Sequence, residues 1–493
     1  MIQISGLEKH FDEFRKNTVG HEQRVVTPYG QKRLLYADWT ATGRLYRPVE
    51  RLLTETFGPF YGNTHSGSSE TGRVMTEAYA AARDIIRAHV NASKDDLLIT
   101  CGYGMTAAVN KLQRLLGLRV PEQLRPFVGL HQDRRPLVVT TYMEHHSNHT
   151  SWLETLADVV LVRPDPKGLV DLGSLDDVLR RHRHRPLKIG TFTACSNVTG
   201  IRPPYHQMAR IMHEHGGLCF VDFSSSAPYV SMNMHPDAQM EHLDGLFFSP
   251  HKFLGGPGSC GVLVFNSRLY SNKAPDNVGG GTVKWTNPWG GRRFLDDVEA
   301  REDGGTPGIL QTVKAALAIK VKERLVIDKM LSREEEILRA LMPGLLSIDG
   351  VRVLAGDIRE RLAIVSFCIE EMHYNLVVRV LNDYYGIQSR GGCSCAGTYG
   401  HFLLNIGREE SQAITDRIDT GDLRAKPGWV RISLHPTTTT DEVLFILDAI
   451  QEIATNRRQW IRQYAYDAAT NEFVNERCSR RRPAVIKKWF SLR

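Results

Sequence analysis

The chain has 493 residues, 42% hydrophobic and 24% charged, an ordinary composition for a globular protein with a large core. It contains no apolar run of about 18 residues and no apolar signal-peptide core, and its eight cysteines follow no disulfide framework. These features predict a cytoplasmic protein without a membrane span. Lys and Arg number 62 against 55 Asp and Glu, and the final segment, 477–493, holds seven basic residues and no acid. A basic surface for nucleic acid is therefore confined to this tail, and we expect no nucleic-acid partner.

Short apolar runs alternate with helix-like patterns from about residue 34 to residue 265. This alternation is typical of an α/β protein with a parallel sheet. Helical patterns cover 106–116 and 206–214. The candidate strands are 97–100, 137–141, 159–162, 188–193, 218–221, 246–248 and 261–265.

The alternation of apolar runs and helical patterns stops at residues 266–308. This stretch is polar and bounded by glycines, as is usual for a functional loop. Helices are then predicted at 310–324 and onward to 341, followed by strands that alternate with helices. The last helix should begin at a capping box formed by Thr439 and Glu442. We predict a large domain at 34–308, a small domain at 1–33 and 309–460, and a basic C-terminal extension at 461–493.

Polar side chains follow the predicted strands of the first domain where each strand ends. In an open parallel sheet, ligands bind outside the carboxyl ends of the strands, so we expect these side chains to share one crevice. They are Thr106 after the first strand, Glu144 and His145 after the second, Asn197 after the fourth, Asp222 after the fifth, and Ser249, His251 and Lys252 after the sixth.

This set of groups matches the chemical parts of pyridoxal 5′-phosphate (PLP). The helix that begins near Thr106 offers backbone N–H groups to a phosphate, and Asp222 suits a protonated ring nitrogen. Asn197 can bond a ring oxygen, and the imidazole of His145 can stack on the ring. The amine of Lys252 can form a Schiff base with an aldehyde. The sequence therefore predicts PLP as the cofactor.

From about residue 36 to residue 454 the chain resembles the class V PLP enzymes, particularly the cysteine desulfurases and selenocysteine lyases. The resemblance implies a fold type I PLP-dependent transferase: an α/β large domain with a mostly parallel seven-stranded sheet, and a smaller α+β C-terminal domain. The motifs that carry it are Gly104-Met105-Thr106, Glu144-His145-His146, Ser196-Asn197, Val221-Asp222, Ser249-x-His251-Lys252 and Gly305-Thr306-Pro307.

The same resemblance implies a homodimer, because in this family the loop equivalent to Thr306 reaches the phosphate bound by a neighbouring subunit. One position departs from the family pattern: Ser225 stands where a glutamine usually contacts the phenolic oxygen of the cofactor. The residues implied in cofactor binding are Gly104, Met105, Thr106, His145, Asn197, Asp222, Ser225, Ser249, His251, Lys252 and Thr306.

Two further motifs bear on the reaction. The loop from Arg390 to Cys395 resembles the family loop with the sulfur-accepting cysteine, and its register selects Cys395, with Cys393 as the neighbouring alternative. A thiolate is the reactive form of cysteine, and Arg390 nearby favours it. The segment around Arg431 resembles the strand whose arginine binds the substrate carboxylate, a pairing suited to a planar guanidinium. Arg390 and Asn197 are further candidates for substrate binding.

His145, His146 and His149 follow Glu144 closely, so a zinc site is an alternative interpretation of this segment. Stacking of His145 on the cofactor explains its placement without a metal, and we predict no metal site.

We therefore expect a PLP-dependent cysteine desulfurase with Lys252, Cys395 and His145 as catalytic residues. Lys252 would remove the Cα proton of L-cysteine, and Cys395 would take its sulfur as a persulfide, leaving L-alanine. A selenocysteine lyase, an aminotransferase or an amino-acid epimerase on the same scaffold is the alternative. A non-enzymatic protein that binds nucleic acid through the basic tail is a third hypothesis. The amino-acid substrate and any sulfur-acceptor protein are left open.

Overall fold

A computed structural model describes residues 5–64, 67–475 and 486–491. Its main helices are α1 (Gly6–Asn17), α2 (Arg47–Arg51), α3 (Glu70–His89), α4 (Met105–Leu115), α5 (His146–Leu153), α6 (Leu172–Arg181), α7 (Tyr205–Glu214), α8 (Val298–Glu302), α9 (Ile309–Leu325), α10 (Ile327–Ser347), α11 (Tyr374–Val380), α12 (Gly397–Leu403), α13 (Arg408–Asp419), α14 (Thr440–Thr455) and α15 (Arg457–Arg462).

The strands form one large sheet, one smaller sheet and several two-stranded pairs. They are β1 (Arg24–Thr27), β2 (Gly30–Arg33), β3 (Leu35–Tyr36), β4 (Asp96–Cys101), β5 (Leu137–Thr141), β6 (Asp158–Val162), β7 (Lys188–Thr193), β8 (Leu218–Asp222), β9 (Gly245–Phe248), β10 (Gly261–Asn266), β11 (Val283–Thr286), β12 (Arg292–Phe294), β13 (Val351–Val353), β14 (Ile364–Ile369), β15 (Ile387–Gln388), β16 (Arg390–Gly392), β17 (Trp429–Ser433), β18 (Tyr464–Asp467) and β19 (Glu472–Asn475).

The large sheet has seven strands in the order β4-β10-β9-β8-β7-β5-β6. Six of the seven strands run in one direction and β10 runs in the opposite one, so the prediction of a mostly parallel sheet is confirmed. The central strands are almost wholly buried, as the continuous apolar runs in the sequence require for a sheet covered on both faces. Each predicted strand of the large domain is present, and the observed bounds differ from the predicted ones by a residue at most.

A smaller antiparallel sheet, in the order β13-β14-β17-β16, lies in the C-terminal half of the chain. Helices α10 and α14 share an apolar cluster with it, which includes Ile432 and Ile450. The capping box at the start of α14 is confirmed, with Thr439 and Glu442 each bonding the backbone of the other. This is the predicted α+β unit.

The predicted domain boundaries stay a prediction. Phe11 and Phe14 of α1, and Ile319 of α9, belong to the apolar cluster that packs under the large sheet. The stretch 266–308 forms a β11–β12 hairpin and the short helix α8. Buried ion pairs tie it to the large domain, with Glu302 lying 2.6 Å from Lys111. No helix in the described part of the chain is long and apolar enough to cross a membrane.

Candidate functional site

One cavity of about 230 Å³ opens at the carboxyl ends of β7, β8 and β9, where the sequence placed the site. It brings together most of the residues singled out from the sequence. Those on its wall are Met105, Thr106, His145, Asn197, Asp222, Ser225, Ser249, His251, Lys252, Arg390, Cys395 and Arg431. Sequence reasoning missed Thr40, Ala41, Thr193, Ser224 and Ser394, which line the same cavity.

The turn before α4 forms one end of this cavity. Gly104 has φ = 145°, a conformation that side chains rarely adopt, and a Cβ there would lie 2.9 Å from the Ser249 hydroxyl. That hydroxyl accepts the backbone N–H of Met105 at 2.9 Å, and Thr106 shares a 2.7 Å hydroxyl bond with Ser147. Because α4 begins here without a side-chain cap, its positive end and backbone donors suit a phosphate.

Lys252 lies in the short turn after β9, with its amine largely removed from solvent. Loss of solvation is the main cause that lowers the pKa of Lys252 from 10.5 to about 8, against the attraction of the Asp222 carboxylate. An appreciable fraction of the amine is therefore neutral near neutral pH. A neutral amine is the form that condenses with an aldehyde or accepts a proton.

Asp222 ends β8 and is 3% exposed. One of its oxygens accepts the backbone N–H of Ser224 at 2.8 Å. Burial raises the pKa of Asp222, with the bond from Ser224 and the charge of Lys252 acting in the opposite sense. A cationic ring nitrogen beside this carboxylate would offset the cost of burying it.

The imidazole of His145 lines the cavity just before α5. Burial, followed by the charge of Lys252, lowers the pKa of His145 to about 3, so the ring is neutral at physiological pH. Its Nδ1 accepts the N–H of Ser147 at 3.1 Å. The buried Oδ1 of Asn197 has no hydrogen-bond partner among the described residues, which leaves it free for a group in the cavity.

These features fit PLP. The turn at Gly104, where a Cβ would meet Ser249, would receive the phosphate, and the neutral imidazole of His145 offers a flat face. The buried carboxylate of Asp222 has no contacting cation among the described residues. The aldehyde would meet an amine with a lowered pKa. No other group in the wall contradicts this fit, and Ser225 supplies a further hydroxyl.

Two arginines at the cavity share one carboxylate, Asp38, which the sequence did not reveal as a site residue. Arg431 is 3% exposed and donates to Asp38 Oδ1 at 2.7 Å and to the carbonyl of Asn197 at 3.0 Å. The side chain of Arg390 is 49% exposed and donates to Asp38 Oδ2 at 3.0 Å. Arg431 is thus held within the wall, whereas Arg390 has a solvated guanidinium at the cavity.

The only sequence signal for Asp38 is its place directly after the short apolar run that becomes β3. An isolated bridge between Asp38 and Ser433 brings that strand end beside β17 and Arg431.

Cys395 is exposed and lines the cavity. Cys393 is partly buried against the main apolar cluster and is not among the lining residues. The geometry therefore favours the sulfur of Cys395 over that of Cys393 as the group that meets a bound substrate.

Thr306 lies on an exposed loop and does not line the cavity of its own chain. Glu144, considered above as a zinc ligand, instead accepts hydrogen bonds from Asn148 at 2.7 Å, Thr141 at 2.8 Å and the backbone of Thr193 at 2.9 Å. These bonds fasten the start of α5 to β7 and so place His145.

The family model "Aminotransferase class-V" matches residues 35–445. The probable cysteine desulfurase of Methanothermobacter thermautotrophicus is 27% identical over 424 residues, which covers 85% of this chain and 94% of the relative. The probable cysteine desulfurase 2 of Mycobacterium leprae is 29% identical over 398 residues, covering 80% and 90%.

Solved structures agree on the fold. The apo cysteine desulfurase of Thermococcus onnurineus superposes with a TM-score of 0.72 at 21% identity, covering 92% of this chain and 99% of that one. A cysteine desulfurase of Escherichia coli superposes with a TM-score of 0.68 at 22% identity, covering 90% and 98%.

Proposed function

Because the chain belongs to the class-V aminotransferase family, we propose that it is a PLP-dependent cysteine desulfurase, which converts L-cysteine to L-alanine and leaves the sulfur on Cys395. The observation that carries the proposal is the convergence of Lys252, Asp222, Arg390 and Cys395 on one cavity. The curated relatives named cysteine desulfurase support the choice of reaction within the family.

The cofactor would be held by groups already in place. The backbone at the start of α4, with the hydroxyls of Thr106 and Ser249, would bind the phosphate, and Asp222 would hold the ring nitrogen protonated. Lys252 would bind the aldehyde and His145 would cover one face of the ring. Bound PLP supplies an electron sink that stabilises negative charge at the substrate Cα.

The side chains around the cavity orient the substrate and move its protons. Arg390 binds the substrate carboxylate through the exposed face of its guanidinium, while Asp38, itself bonded by Arg431, accepts a hydrogen bond from that guanidinium. The fixed carboxylate directs the Cα–H bond towards Lys252, whose neutral amine removes the proton.

Sulfur transfer then falls to Cys395. Its thiolate attacks the sulfur of the substrate, an S–S bond forms, and the bond between that sulfur and the substrate Cβ breaks. The bonding electron pair goes to Cβ, which takes up a proton, and Lys252 returns a proton to Cα, so that L-alanine leaves and Cys395 carries a persulfide. Arg390 and Arg431 line the same cavity as Cys395, and the thiolate is the form that attacks.

We also propose that the working unit is a homodimer. Thr306 is exposed and does not line the cavity of its own chain, as a residue that serves a second copy should not. Mixing Lys252→Ala and Thr306→Val subunits should then restore one complete site per mixed dimer. Activity no greater than that of either variant alone would contradict a shared site.

The deciding experiment combines a visible spectrum with product analysis. The purified protein should show the absorbance of lysine-bound PLP and convert L-cysteine to L-alanine with a persulfide on the protein. Cys395→Ser should keep the absorbance and lose the persulfide, whereas the matched Cys393→Ser variant should retain both. A keto acid, an inverted stereocentre, or reaction with selenocysteine alone would replace the desulfurase assignment by an aminotransferase, an epimerase or a lyase.

A further inference from the structure

The loop that carries Cys395 is held in a strained backbone conformation. Ser394 has φ = 51° and Cys395 has φ = 56°, both in the left-handed region. Residues other than glycine rarely adopt such a conformation, and they keep it only where the surroundings enforce it. Contacts from other parts of the chain must therefore fix this loop.

One set of contacts holds Ser394. The side-chain amide of Asn197 donates to the carbonyl of Ser394 at 2.6 Å. The indole N–H of Trp429, a fully buried residue, donates to the Ser394 hydroxyl at 3.2 Å. These bonds fix the residue before the cysteine from two sides.

The second set comes from α5 and brackets Cys395. The backbone N–H of His146 donates to the carbonyl of Cys395 at 2.7 Å. The ring Nε2 of the same histidine accepts the backbone N–H of Gly397 at 2.9 Å. One turn further on, Nδ1 of His149 lies 3.3 Å from the hydroxyl of Thr398. His146 thus bonds the chain on both sides of Ala396 and closes the turn that presents the thiol.

The bond from Gly397 defines the state of the His146 ring. Because Nε2 accepts an N–H, the ring proton must lie on Nδ1 and the imidazole must be neutral. Burial, followed by the charge of Lys426, lowers the pKa of His146, which keeps the ring in that state at physiological pH. The adjacent His145 faces the cavity, so one pair of neighbouring histidines contacts both the cofactor space and the cysteine loop.

We propose that His146 is a positioning residue for sulfur transfer: it fixes Cys395 at the cavity wall so that the thiol meets the substrate sulfur. The inference rests on the proposed function and assigns a purpose to the second histidine of the Glu144-His145-His146 segment. The loop is anchored on both flanks, so the persulfide stays at the cavity, and an acceptor must come to it. A displacement of about 1 Å at such a contact can lower a rate a hundredfold.

The test compares His146→Leu, which removes the acceptor, with His146→Gln, whose amide oxygen can accept the Gly397 N–H. His184→Leu, at an exposed histidine, is the control. In His146→Leu we expect the PLP absorbance and the deuterium exchange at Cα of L-alanine to stay within about twofold. Single-turnover persulfide formation should fall about tenfold or more. His146→Gln should recover most of that loss.

A readout independent of turnover is the rate at which iodoacetamide alkylates Cys395, followed by mass spectrometry. In His146→Leu the loop is released, and the alkylation rate should rise several-fold. In His184→Leu the rate should stay at the wild-type value. Both expectations hold whether or not cysteine is the substrate. An unchanged alkylation rate would overturn the proposal, and so would equal losses of absorbance, exchange and persulfide formation. If the wild-type protein forms no persulfide, the desulfurase assignment fails while the alkylation comparison still tests the anchor.

Discussion

The carboxylate of Asp38 should be costly to remove, because it compensates the charge of a buried arginine. Asp38→Asn keeps the shape of the side chain and removes its charge, so Arg431 would remain buried without an anion in contact. Burial already lowers the pKa of Arg431, and Asp38 opposes that effect. The variant therefore removes the interaction that compensates for burying this guanidinium.

The size of the expected loss of unfolding free energy follows from how exposed the two arginines are. Removing one partner of a buried ion pair costs about 3–5 kcal/mol, which applies to Arg431 at 3% exposure. The pair with Arg390 adds about 1 kcal/mol at most, because that side chain is 49% exposed. The asparagine oxygen still accepts a hydrogen bond from Arg431. We therefore expect the free energy of unfolding to fall by about 3 kcal/mol, the lower end of the range for a buried ion pair.

Equilibrium urea unfolding of the cofactor-free protein, followed by intrinsic fluorescence, measures this loss. Asp12→Asn is the control, since Asp12 pairs with Lys16 on the exposed face of α1 and should change the unfolding free energy by about 0.5 kcal/mol at most. The double variant Asp38→Asn/Arg431→Met should lose less than the sum of the single losses. The reasoning would be refuted if Asp38→Asn lowered the unfolding free energy by no more than Asp12→Asn does. It would also be refuted if the loss in the double variant equalled the sum of the two single losses.

Three further predictions concern the cofactor and the substrate. Because loss of solvation lowers the pKa of Lys252 to about 8, the neutral amine fraction rises with pH, and the rate of PLP capture by cofactor-free protein should reach half its maximum near pH 8. A half-maximum near 10.5 in the spectroscopic assay would contradict this. Gly104→Ala places a Cβ 2.9 Å from the Ser249 hydroxyl at a φ of 145°, and should weaken PLP binding about tenfold. Gly129→Ala, with open space around it, should leave that affinity unchanged in a fluorescence titration. Arg390→Gln should raise the KM for L-cysteine about tenfold or more with the PLP absorbance retained, and an unchanged KM would exclude Arg390 from carboxylate binding.

The local pattern of apolar residues was sufficient to predict the strands of the large sheet. The runs that became β5 and β7 are short, apolar and bounded by turn residues, so their strand character needs no knowledge of distant partners. Most of the predicted cavity residues follow such runs directly. The carboxyl ends of parallel strands share one edge, so predicting the strands also predicted that Asn197, Asp222 and Lys252 would meet.

Local sequence pattern could not predict contacts between residues that are far apart in the chain. Asp38 and Arg431 are 393 positions apart, and their pairing depends on the strand end after β3 lying beside β17. The role of His146 was equally hidden, because its acceptor atom meets Gly397 across 251 positions.

Sequence by itself therefore determined the strands of the large sheet, the family resemblance and the residues that gather at one edge of that sheet. Those features depend on periodicity and on groups a few residues apart. Tertiary structure alone decided which arginine is held in the wall, which arginine faces solvent, and what holds the loop of Cys395. These outcomes depend on burial and on hydrogen bonds between remote segments, whose energies exist only once the chain has packed.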